Sequence, residues 1–141
     1  MIEELRSLHQ NSYSPYSHYA VSAIAVMKDG MKFKGVNVEN AAYGASICAE
    51  RSAILSAISS GYKKGDFREL YVMVSSGEIG MPCFQCRQVI SELFDKDAII
   101  HCCSTKGEIK DFTVEQICPY PFGEDDLKWN VDLLVLSEDQ M

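Results

Sequence analysis

The sequence predicts an α/β fold in which a mixed central sheet is covered by helices. Three observations carry this reading. The predicted elements run β-β-α-β-α-β-β, an order that favours a sheet with helices packed against it. Two β-rich stretches, 20–27 and 31–38, flank Asp29-Gly30, a strong hairpin signal. Two helical stretches each begin on a short cysteine-bearing segment. The 141 residues are expected to form a single domain over 1–141, with enough chain to bury its own core.

Taken in order, residues 2–11 show loose helical spacing and read as a short helix. Tyr13-Ser14-Pro15-Tyr16-Ser17 is turn chemistry. After the hairpin, residues 47–60 are rich in Ala, Ile and Leu and end at Gly61, which predicts a helix. Leu-Tyr-Val-Met-Val-Ser at 70–75 reads as a buried strand. Pro82 is expected to open a second helix, in its tolerant first turn, running to Phe94. A strand over 98–103, a turn at Lys106-Gly107-Glu108 and a short strand over 109–112 follow. Thr113 is placed to cap one helical turn at 113–117. The apolar stretch 131–136 is expected to pack on the body or on a partner.

The composition narrows the function classes. Thirteen basic against twenty acidic side chains give a net charge of −7, which disfavours a nucleic-acid polymer as partner and leaves small neutral molecules open. No stretch is long and apolar enough to predict a membrane span. The opening Met1-Ile2-Glu3-Glu4-Leu5-Arg6 lacks the apolar region of a signal peptide. A cytoplasmic location, where thiols stay reduced, is therefore expected.

Six cysteines are present. Cys102, Cys103 and Cys118 read as small core residues, and the first two should face opposite sides of one strand. Cys48, Cys83 and Cys86 have a different setting. Cys83 and Cys86 are three apart at a predicted helix start, which puts both thiols on one face. Helix N-termini favour thiolates, the form that zinc needs, and Cys48 at the preceding helix start supplies a third. Structural zinc sites are usually closed by four protein ligands, whereas catalytic ones leave a position for water. Three thiols without a paired fourth cysteine or a His-x-x-x-His therefore read as an open Zn2+ site. Glu50, two residues from Cys48, is placed to move protons beside the metal. A carboxylate near a helix N-terminus is also common for dipole reasons alone, and it is the neighbouring Cys48 that favours the catalytic role. Three thiolates need compensating charge; Arg51 and Arg87 adjoin the motifs, and Arg51 is expected to hydrogen-bond a ligand sulfur. A lone Cys-x-x-Cys would also suit a redox pair, but no thioredoxin-like βαβ context surrounds this one. Together, Cys-x-Glu and Pro-Cys-x-x-Cys form the recognised pattern of zinc deaminases.

At this point the chain resembles the small, homotetrameric, zinc-dependent cytidine deaminases. The resemblance runs from about residue 12 to residue 127. It rests on Tyr13-Ser14-Pro15-Tyr16-Ser17-His18-Tyr19, Gly35-Val36-Asn37-Val38-Glu39-Asn40-Ala41, Cys48-Ala49-Glu50-Arg51, Pro82-Cys83 through Gln88, and Pro119-Tyr120-Pro121-Phe122-Gly123. It implies a three-layer fold with a central five-stranded mixed sheet flanked by helices. It also implies hydrolysis of cytidine and 2′-deoxycytidine to uridine and 2′-deoxyuridine with loss of ammonia, a pyrimidine-salvage reaction on a small nucleoside. By the same resemblance, Asn37 and Glu39 bind the ribose 3′-hydroxyl, and backbone groups near Ala49 and Cys83 hold the base edge. Tyr19 stands where a Phe usually packs on the pyrimidine, and an ordinary core aromatic is the equal alternative. Phe122 matches a ring that reaches a neighbouring subunit's site, so a homotetramer with shared active sites is implied. Ser22, Met81 and the Phe84-Gln85 pair depart from the family's usual small residues. One alternative is a zinc deaminase of another cytosine compound, such as blasticidin S. Another is a non-catalytic zinc module, whose fourth ligand would come from Cys102, Cys103, Cys118 or His101.

Overall fold

The structure, a computed structural model, describes residues 1–128; the apolar stretch at 131–136 lies outside the described residues. Strand β1 (Val21–Met27) and strand β2 (Lys32–Val36) form the expected antiparallel hairpin. Gly30 closes it with φ +92, a conformation that costs glycine little, and the Asp29 carboxylate accepts from the Met31 N–H at 3.0 Å. Strand β3 (Phe67–Val74) pairs antiparallel with β1 and parallel with β4 (Phe94–Ser104), and β5 (Ile109–Thr113) returns antiparallel to β4. The sheet is five-stranded and mixed, in the order β2-β1-β3-β4-β5.

Alternation along the strands separates the two faces. Ala23, Ala25, Met27, Leu70, Val72, Ile100 and Cys102 face one core, which helices α2 (Ala49–Ser59), α3 (Phe84–Leu93) and α4 (Val114–Ile117) cover. Ile24, Val26, Met73 and Cys103 face the other, beneath helix α1 (Ile2–Leu8). Cys102 and Cys103 thus stand on opposite sides of β4, as alternation requires. Ser22, where a small residue would suffice, donates from its buried hydroxyl to the Leu5 carbonyl at 2.8 Å and ties α1 to the sheet. Thr113 caps α4 as expected: its hydroxyl accepts from the Gln116 N–H at 3.1 Å, and the Gln116 side chain accepts in return from the Thr113 N–H at 2.9 Å.

Several boundaries differ from expectation, most clearly the starts of α3, β3 and β4. Pro82 does not open α3. It lies before the helix, and Cys83 is the extended N-cap, with φ −66 and ψ 166. A buried Pro82 contributes apolar surface there, and its carbonyl accepts from Arg87 Nε at 2.8 Å, while the cap keeps the first-turn N–H groups unpaired. Strands β3 and β4 both begin earlier than their apolar runs suggest. Phe67 pairs with Phe94, their rings stacked at 4.7 Å, and the register shifts before Glu69 meets Ile99. The exposed Asp95-Lys96-Asp97 sits in that irregular stretch, so its sequence carries no strand alternation.

Gly35 in β2 positions the helix that bears the first motif. A methyl group there would lie 2.4 Å from the Ala49 carbonyl and 2.5 Å from the Ala53 N–H. These are backbone atoms that cannot swing aside, so glycine sets how closely β2 approaches α2. Gly35→Ala is expected to destabilise the protein by about 1–3 kcal/mol, as overpacking does. Thermal unfolding checks this, and an unchanged midpoint would contradict it.

Candidate active site and metal centre

The two cysteine motifs meet at the starts of α2 and α3. Cys48 is the extended N-cap of α2, with φ −76 and ψ 154, and Cys83 holds the same position on α3, with Cys86 in its first turn. The Cys48 and Cys83 sulfurs are 3.6 Å apart, and all three sulfurs lie within 4.8 Å of one another. Among the described residues, this is the group of three or more candidate donors that converges on one point. Cys102 and Cys103 are in the two cores, Cys118 packs beside the first, and His101 sits between Asp111 and Glu69, so none of them joins as a fourth ligand.

The electrostatics of this cluster follow from three thiols sharing one corner. Hydrogen bonds from Cys86, and then from Arg51 and Cys83, pull the Cys48 thiol down to about 5 against its burial. The ionised Cys48 sulfur in turn holds the proton on Cys86, whose thiol is pushed far upward. Arg51 Nη2 donates to the Cys48 sulfur at 3.4 Å, the contact expected from sequence, and the thiolates hold its guanidinium firmly charged. Arg51 Nε is buried and finds no acceptor among the described residues. Three sulfurs within 4.8 Å of one another and a guanidinium donating to one of them suit a divalent ion that displaces the thiol protons. The donor set and its three-sulfur count fit Zn2+ with a position left open.

Glu50 sits in the first turn of α2, only 4% exposed. Burial, and then the Cys48 charge, push its carboxyl up to about 7. It lines a cavity of about 380 Å³ together with Tyr19, Asn37, Glu39, Cys48, Ala49, Arg51 and Cys83. Eight of the ten residues singled out from sequence therefore share one cavity wall. Cys86 is buried behind it, and Phe122 lies outside it, 55% exposed in a separate groove beside Phe84, Arg87 and Tyr120.

Asn37 and Glu39 do more than line the wall. Asn37 Oδ1 accepts from Ser12 Oγ and from the Val21 N–H at 2.9 Å, and its Nδ2 donates to the Tyr19 carbonyl at 2.7 Å. Glu39 Oε1 accepts from the N–H groups of Tyr16 and Ser17 at 3.0 and 3.1 Å, and Oε2 accepts from Ser17 Oγ. These bonds hold the Glu39 carboxyl below the usual range. Both side chains therefore fasten the 12–19 segment that carries Tyr19 against the cavity. Wall residues that the sequence did not single out include Tyr43 and Ser46, from the short 3-10 turn Tyr43–Ala45 and the residue after it, and Val72 and Val74 at the end of β3. Met81 and Gln85, noted only as unusual, also reach the cavity. The turn at 43–46 has no periodicity; Gly44 was its one visible mark.

Comparison with known proteins agrees with this geometry. Residues 1–102 match the family described as the cytidine and deoxycytidylate deaminase zinc-binding region. The chain is 35% identical to cytidine deaminase of Halalkalibacterium halodurans over 127 residues, which cover 90% of this chain and 95% of that protein. It is 34% identical to the Mycobacterium tuberculosis cytidine deaminase over 116 residues, covering 82% of each. The crystal structure of cytidine deaminase from Burkholderia pseudomallei superposes with a TM-score of 0.82 at 36% identity, covering 86% of this chain and 95% of that one. The crystal structure of cytidine deaminase from Mycobacterium leprae shares this fold too, with a TM-score of 0.71 at 33% identity over 84% of this chain and 94% of that one.

Burial of Glu50 makes a prediction for the metal-free protein. Its folded carboxyl, near 7, keeps a proton that an unfolded one, near 4.5, releases. Between those values the folded state binds more protons, so stability falls as pH rises, and above them the loss is complete. Glu50→Gln removes this loss. Urea unfolding of metal-free protein should show the variant gaining stability over wild type from pH 5 to pH 8. A gap that stays constant with pH would contradict the burial argument.

Proposed function

The chain belongs to the cytidine and deoxycytidylate deaminase family, and from that premise we propose how its residues carry out the hydrolytic deamination of cytidine and 2′-deoxycytidine. One observation carries the reading: three thiols converge at a cavity that Cys48, Cys83 and the buried Glu50 carboxyl line together with Asn37 and Glu39.

Cys48, Cys83 and Cys86 would hold Zn2+, which when bound supplies Lewis-acid activation of a water at neutral pH. Glu50 moves the protons. It accepts one from the attacking water and passes it to N3 of the cytosine, which makes C4 electrophilic. A further transfer to the 4-amino group lets nitrogen leave as ammonia, so cytidine and water become uridine and ammonia. A buried carboxyl with its proton affinity raised toward neutrality can both take and return a proton. Arg51 offsets the thiolate charge through its bond to Cys48. Ala49 and Cys83 line the cavity, where their backbone groups would hold the base edge, and the Tyr19 ring would pack on the pyrimidine.

The polar count at Asn37 and Glu39 supports nucleoside recognition. Asn37 Oδ1 already accepts two bonds, but Nδ2 has one N–H to spare. Glu39 Oε1 is filled by two N–H donors, whereas Oε2 takes only the Ser17 hydroxyl. One spare donor and one spare acceptor on the wall of the same cavity suit a hydroxyl, which both accepts and donates. The resemblance assigns this hydroxyl to the ribose 3′ position, and a simple nucleoside is favoured over blasticidin S.

The exposed rings of Phe84, Tyr120 and Phe122 support a homotetramer in which Phe122 completes a neighbour's site. Cysteines that must stay reduced to bind metal support a cytoplasmic location. No helix among the described residues is long and apolar enough to cross a membrane.

Loss of cytidine absorbance, with metal analysis of the same sample, tests the reading. Glu50→Ala should keep its zinc and lose about 10²–10⁴-fold in turnover; full turnover in a zinc-loaded variant would break the assignment. Arg51→Gln should lower activity more than zinc content. 2′-Deoxycytidine should remain a substrate, while 3′-deoxycytidine should lose about 10²-fold or more in kcat/KM. Equal use of all three nucleosides would remove the sugar role of Asn37 and Glu39.

A further inference from the structure

Residues 79–83 deliver the Cys83 thiol from the end of β3 to the start of α3, and they belong to no helix or strand. Pro82 has no N–H to anchor this stretch. What fastens it is Arg87, whose Nε donates to the Pro82 carbonyl at 2.8 Å. The same guanidinium donates through Nη1 to the Ile117 carbonyl at 3.0 Å, at the end of α4, and lies 4.4 Å from the centre of the Phe84 ring. One residue on, Gln88 Nε2 donates to the Phe122 carbonyl at 2.7 Å. The sequence suggested Arg87 as a charge beside the thiolates. Its donors instead go to backbone carbonyls, and Arg51 is the arginine that reaches a sulfur.

We propose that Arg87 is a positioning residue for the metal centre: a fork that sets the place of the Cys83 sulfur by bridging the Pro82 carbonyl to the end of α4. Cys83 is the ligand that ends the 79–83 stretch, whereas the residue before Cys48 is held by a bridge between Ile47 and Val38. A planar guanidinium can hold two carbonyls at fixed angles, whereas an ammonium is a point donor that cannot reproduce that span. Through Ile117 and the 118–122 segment, which Gln88 pins to α3, the grip on the metal is coupled to the part of the chain that carries Phe122. The proposal rests on Cys83 being a zinc ligand.

The test is the rate at which zinc-loaded protein gives up its metal to a chromophoric chelator, in wild type, Arg87→Lys, Arg87→Gln and Ser22→Ala, with the thermal midpoint of each. Ser22→Ala removes a buried hydrogen bond on the opposite face of the sheet, and so reports what plain destabilisation does. Both Arg87 variants should release zinc about tenfold faster or more, while the KM for cytidine stays near that of wild type and Ser22→Ala releases zinc at the wild-type rate. Should Arg87→Gln not fold, Arg87→Lys keeps the stem and the charge and carries the test. Wild-type release from both Arg87 variants would overturn the proposal. So would a normal rate in Arg87→Lys alone, because charge rather than the fork would then suffice. Equal acceleration in Ser22→Ala would reduce the effect to global stability. A wild-type protein that holds no zinc would instead refute the ligand assignment on which the proposal stands.

Discussion

The mutual repulsion of three sulfurs in one partly buried corner governs this molecule. Their atoms lie within 4.8 Å of one another, too close for all three to ionise without a partner cation. Left alone, the cluster ionises at Cys48, where Arg51 helps, and keeps a proton on Cys86. Glu50 feels the same crowding, since the Cys48 charge adds to burial in disfavouring its anion. A divalent ion resolves the conflict, and it does so beside a carboxyl that is poised to exchange a proton.

The fold exists at this corner to bring two helix starts together. Both ligand-bearing N-caps, Cys48 and Cys83, are extended residues that precede helices packed on the same face of the sheet. Close approach at Gly35 sets α2 against β2, and the parallel pairing of β3 with β4 makes α3 the crossover between them. Opposite, Asn37 and Glu39 fasten the segment bearing Tyr19 so that it forms the facing wall. The cavity is thus built from strand ends and helix starts joined by irregular pieces, the 12–19 segment, the turn at 43–46 and the 79–83 stretch among them.

Much of this was legible in the sequence because it depends on local chemistry. Asp29-Gly30 specifies its hairpin, Thr113 specifies a cap, and alternation places Cys102 and Cys103 on opposite faces. The spacing of Cys48, Glu50, Cys83 and Cys86 carries the chemistry. What was hidden depends on partners distant in the chain. Pro82 reads as a helix opener until its carbonyl is seen to serve Arg87. The start of β4 is masked by Asp95-Lys96-Asp97, which follow an irregular ladder rather than an alternating one. Asn37 and Glu39 read as polar loop residues without the resemblance, and nothing local shows that most of their bonding capacity is spent on residues 12–21. Phe122 stands outside this chain's own cavity, and no spacing rule could have told which surface it serves.

The most direct measurement of the central claim is X-ray absorption at the zinc edge on purified, active protein. Three sulfur scatterers and one lighter atom in the first shell are predicted, since the described residues bring three thiols and no fourth ligand to the site. Four sulfurs, or nitrogen scatterers in place of any of the three, would contradict the account.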